Sequence, residues 1–140
     1  MDKNFESEMS VRNRICAAFE YGLAQEFGLL VGEILYDVYE YGSLEESGLV
    51  TRIKEEQKKI DEAINQNKVD GSTMWSLRWI VAASAILCDF VGVKHWANVG
   101  LMQCHLIDFG WNRSRPEWQW ILENVEEYTK LVTGIRKFKN

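Results

Sequence analysis

Proline occurs once in 140 residues, at Pro116. Inside a helix it would remove a backbone donor and clash with the preceding turn, so its near absence leaves long helical stretches uninterrupted. Cysteine is scarce and odd in number: Cys16, Cys88 and Cys104 stand far apart and form no C-x-x-C. That spacing suits neither a disulfide framework nor a compact zinc finger. No charged, apolar and small-residue segments follow Met1 in signal-peptide order. The expectation is a reducing, cytoplasmic setting with the cysteines as small core residues.

Long apolar runs are also missing. The uncharged run Trp79 to Cys88 ends at Arg78 and Asp89, far short of the roughly 18 residues a membrane span needs. A basic excess is missing as well, since the formal charge is −5. Residues 1–70 hold 15 acids against 8 bases, a net of −7, and residues 71–140 hold 6 against 8, a net of +2. Non-specific binding to nucleic acid or an anionic membrane needs basic surface, so neither partner is expected. A basic protein partner would suit the acidic half, although acidic surface also serves solubility alone.

What is present is aromatic and apolar: 46% hydrophobic residues, with six tryptophans, six phenylalanines and five tyrosines. Disordered chains carry few aromatics. A domain near this length buries about 68–70% of the surface its unfolded chain exposes, and residues 1–140 read as one domain with 1–9 frayed.

The stretch Thr73 to Val91, TMWSLRWIVAASAILCDFV, is apolar on nearly every side. Met74, Leu77, Val81, Ser84 and Cys88 form one helical row; Trp75, Trp79, Ala82, Ile86 and Phe90 form another. A helix apolar all round is a core helix when it is too short to span a membrane, and Ser72 is its expected cap.

Around it the pattern predicts four more helices. Ser10 caps a first helix whose row of Val11, Ile15, Phe19, Leu23, Phe27, Leu30, Ile34, Val38 and Tyr41 keeps spacings of three or four. Ala24, Gly28 and Gly32 make a smooth strip on it that would admit a second helix, or a second copy in a homodimer. Ser43 and Glu46 have capping-box spacing before a helix to about Asn65. Leu49, Ile53, Ile60 and Ile64 are its thin apolar stripe, and Arg52/Glu56, Glu55/Lys59 and Lys58/Glu62 are charges placed to pair. Gly48 leaves room for a short first turn before the main segment. A fourth helix is expected over about Lys94 to Phe109, burying Trp96, Ala97, Gly100, Leu101 and Cys104. The last runs from Pro116 past Trp118, Ile121, Leu122, Val125, Tyr128 and Val132 to Ile135. No stretch alternates long enough for a strand. The fold class is all-α: a bundle of about five helices around a buried central helix at about 73–91.

Chemical motifs are thin. Helical di-iron sites need E-x-x-H, but Gly92 and Met102 stand three residues before His95 and His105. Asp37-x-x-Glu40 is the candidate half of a magnesium carboxylate centre, and no catalytic cluster is expected from it. Cys88, His95, Cys104 and His105, with Asp89 or Asp108, match no compact zinc spacing. A reactive thiolate needs an electropositive, accessible setting, whereas Cys88 reads as a deep, inert core thiol. No catalytic residue, metal or cofactor is expected.

Two surfaces stand out. Glu26, Glu33, Asp37 and Glu40 share one face of the first helix, interleaved with Tyr36 and Tyr39. Such carboxylates accelerate capture of a basic partner; the plainer reading is the solvated flank of an amphipathic helix. The second is Gly110 to Trp120, GWNRSRPEWQW, rich in the tryptophan and arginine that favour binding hot spots. Trp111, Arg113, Arg115 and Trp120 are its candidate contacts; the plainer reading puts Trp118 and Trp111 in the core, with Trp120 half-exposed and the arginines in water.

In size, charge and helicity alone the chain resembles, in general type, the small acidic immunity proteins that neutralise bacterial nuclease toxins. That likeness implies a protein inhibitor binding a basic groove with carboxylates and aromatics. The alternatives are a small helical enzyme or ligand binder with a pocket between the central and fourth helices, and a self-assembling structural or adaptor protein.

Overall fold

A computed structural model describes residues 30, 33, 34, 48–106 and 115–136. Five α-helices occur among them: α1 (Leu49–Asn65), α2 (Gly71–Ile86), α3 (Phe90–Leu106), α4 (Arg115–Glu123) and α5 (Val125–Arg136). There is no strand among the described residues, and the fold is an all-α bundle. Of the first expected helix, Leu30, Glu33 and Ile34 are described and helical; the Ala24/Gly28/Gly32 strip and the Ser43–Glu46 box lie outside the described residues.

Helix α1 starts from Gly48, which caps it in the left-handed region at φ 69° without a side-chain hydrogen bond. The main segment therefore begins after Gly48, as its position allowed. Leu49 and Ile60 are buried, and Ile53 and Ile64 pack against the core, so the apolar stripe is where the spacing placed it. Its inward register also includes Glu56, which is buried. The helix closes as a Schellman motif, in which left-handed backbone lets two later amides reach back to orphan carbonyls. Asn67 takes φ 55°, its N–H donates to the Ile64 carbonyl, and the Lys68 N–H donates to that of Ala63.

Helix α2 is the central helix, and its cap is a correction to the sequence reading. Asp70, not Ser72, is the N-cap: its Oδ1 accepts the Thr73 N–H at 3.1 Å, while its own N–H donates to Thr73 Oγ1 at 3.4 Å. Each side chain satisfies an amide that the first turn leaves without a partner. Twelve of the sixteen α2 residues are buried, from Thr73 to Ile86.

The far end is a second correction. The central helix stops at Ile86 rather than Val91, and α3 starts at Phe90 rather than Lys94. Cys88 adopts φ 59°; its N–H donates to the Ala85 carbonyl and the Asp89 N–H to that of Ser84, the same closure as on α1. Asp89 then accepts the Gly92 N–H on Oδ1 at 3.0 Å, and its carbonyl accepts the Val93 N–H. One residue thus completes the end of α2 and begins α3. A Cβ on Gly92 would lie 2.9 Å from Asp89 Cγ and 3.2 Å from Ser84 Oγ, so glycine makes room for this junction.

Cys88 is consequently exposed, not a deep core thiol. Two members of the second α2 row are also outside the core: Trp75 and Phe90 are exposed. Trp75 lies in the first turns of α2, and Phe90 belongs to the next helix.

Helix α3 makes the most extensive contact with α2 and packs next on α4. It buries Val93, Trp96, Ala97, Gly100 and Cys104, with Leu101 half-buried. Trp118 and Ile121 of α4 are fully buried, as are Tyr128 and Val132 of α5. The expected last helix is two helices, separated at Asn124. The Asn124 N–H donates to the Ile121 carbonyl at 3.1 Å, its Nδ2 donates to the Trp120 carbonyl at 2.9 Å, and its own carbonyl accepts the Tyr128 N–H. An asparagine side chain competes for helix carbonyls in this way. Thr133 Oγ1 of α5 reaches the Ala85 carbonyl of α2 at 3.4 Å. Leu30 and Ile34 join the same apolar cluster.

Candidate functional site

The first candidate surface is described at one of its six residues. Glu33 is exposed, while Leu30 and Ile34 in the same helical stretch are buried at 6% and 4% exposure. That is the inside-outside alternation of an amphipathic helix, with the carboxylate on the outer flank. Glu26, Tyr36, Asp37, Tyr39 and Glu40 lie outside the described residues.

The second surface is described in its helical half. Arg115 is the first residue of α4 and is exposed, with Pro116 beside it. Trp118 is a core residue, as its spacing indicated. Trp120 is half-buried and packs against the core cluster, so part of its indole is committed to the bundle. Trp111 and Arg113 lie outside the described residues.

Sequence spacing missed two features of α1. The guanidinium of Arg52 lies over the ring of Trp79, 4.4 Å from its centroid. Glu56 pairs with Lys59 at 3.6 Å rather than with Arg52, and its Oε2 is buried without a hydrogen-bond partner. The signal was in the stripe itself: Leu49, Ile53, Glu56, Ile60 and Ile64 continue one helical register, which puts a carboxylate at an inward position.

The electrostatics of the C-terminal helices are local. Glu126 and Lys130 pair at 2.6 Å on the exposed face of α5. Their hydrogen bond and mutual charge hold the carboxyl below its usual range and the ammonium above its own. Tyr128, wholly buried, has its phenol pushed up by desolvation.

Among the described residues no three His, Cys, Asp or Glu side chains converge as metal ligands. Cys104 is buried and Cys88 exposed, and His95 is an exposed residue whose ring meets Trp96 edge-on at 4.6 Å. An E-x-x-E spacing does occur, at Glu123 and Glu126, but it straddles the Asn124 break. Glu123 accepts a hydrogen bond from Gln119 at 2.9 Å, and Glu126 holds Lys130. The buried side chains of the central helix and α3, the two helices suggested to flank a ligand pocket, are mostly apolar, among them Ile80, Val81, Ile86, Val93 and Trp96. No helix among the described residues is long and apolar enough to cross a membrane. Comparison with protein-family models, curated proteins and solved structures finds no match to this chain.

Proposed function

We propose that the chain is a protein-binding module that receives a basic partner on the acidic flank of its first helix, as small inhibitors of the immunity-protein type do. The observation that supports this reading is the exposed Glu33 carboxylate beside buried Leu30 and Ile34. It fits the offsets that put Glu26, Asp37 and Glu40 on the same flank, in the half of the chain with net charge −7. Long-range attraction of this kind raises association rate and directs orientation more than it raises affinity. Arg115, exposed at the start of α4, and half-buried Trp120 are candidate short-range contacts. The working compartment under this reading is a reducing cytoplasm, the setting expected from three widely spaced cysteines without a C-x-x-C.

The test is charge reversal of Glu33, Asp37 and Glu40 to lysine. Partners would be captured on the wild-type chain at low salt, and association followed by stopped flow at two salt concentrations. Association with the captured partner should slow in the reversed variant, and the difference should shrink as the Debye length falls from about 10 Å at 0.1 M to about 3 Å at 1 M. Unchanged association would remove the acidic flank from the mechanism. The melting temperature should hold, because exposed substitutions usually change stability by only about 0.5 kcal/mol.

A further inference from the structure

We draw no further inference here: the strongest candidate, the surface patch at the α2–α3 turn where exposed Phe90 and Val91 follow the free thiol of Cys88, is an unpartnered apolar face beside a lone cysteine, and nothing in the structure shows what covers it.

Discussion

The indole of Trp118 lies directly on the backbone of Gly100. A Cβ built on that glycine would come 2.5 Å from Cε3 and 2.7 Å from Cδ2 of the ring, closer than real side-chain contacts allow. The glycine is therefore a seat for the ring, which lets α4 approach α3.

Gly100→Ala should destabilise the protein even though alanine is the better helix former. Overpacking a filled core costs about 1–3 kcal/mol, against about 1 kcal/mol gained from helix propensity. In a Trp118→Leu background the ring is absent, and the same substitution should become neutral or stabilising. Chemical denaturation of the four proteins of this cycle measures the coupling. Equal effects in both backgrounds would show that ring and glycine do not interact.

The α2–α3 junction makes two opposite predictions. Cys88 sits at φ 59°, a conformation that disfavours a non-glycine residue by roughly 1–2 kcal/mol. Cys88→Gly should therefore stabilise, less the entropy glycine gains when unfolded. Asp89→Ala removes the carboxylate that accepts the Gly92 N–H and should cost about 1 kcal/mol, as loss of an N-cap does. Urea unfolding midpoints should move in opposite directions; a shift of both the same way would contradict this junction geometry.

Trp79, 3% exposed, joins α2 to α1 through the Arg52 guanidinium above its ring. Trp79→Ala should cost about 3–5 kcal/mol, a large part of a typical stability of about 5–15 kcal/mol. Arg52→Ala should cost only about 0.5–1 kcal/mol, the usual worth of an exposed cation–π contact. Thermal unfolding with the Arg52 variant as reference should separate the two. A melting shift of a degree or two for the tryptophan variant would mean that this helix is not the core of the bundle.

Tyr128 governs part of the alkaline limit. Burial raises its folded pKa, while the unfolded phenol ionises at its ordinary value of about 10. Above that pH the unfolded state releases a proton that the folded state keeps, so stability falls as pH rises, by up to about 1.4 kcal/mol per pH unit for one group. Tyr128→Phe should lose less stability than the wild type between about pH 9 and pH 11.5. Parallel stability curves for the two proteins across that window would contradict the assignment.

Helix type and inward faces were legible in the sequence because each rests on a local period. The spacings of Leu49, Ile53, Ile60 and Ile64, and of Trp96, Ala97, Gly100 and Cys104, are the geometry of a helix surface, and the core follows from them. The cap of the central helix was assigned to the wrong neighbour, since Asp70 and Ser72 offer similar acceptors. Of the candidate site, Glu33 and Arg115 are exposed and Trp120 is half-buried, while Trp118 lies in the core where its spacing put it. The remaining candidates lie outside the described residues.

Hydrophobicity alone could not show where the central helix ends. Cys88, Phe90 and Val91 are as apolar as the residues before them, and only the closure through Ala85 and Ser84, with Asp89 capping α3, turns the chain there. The break at Asn124 is of the same kind: the apolar period runs through it, and a side chain's hydrogen bond to Trp120 marks the interruption. Glu56 facing inward, Arg52 on Trp79 and Trp118 on Gly100 were decided by tertiary structure as well. A sequence period specifies which face of each helix turns inward, but which atoms meet across two helices depends on their separation and crossing. Those are set jointly by every side chain in the contact.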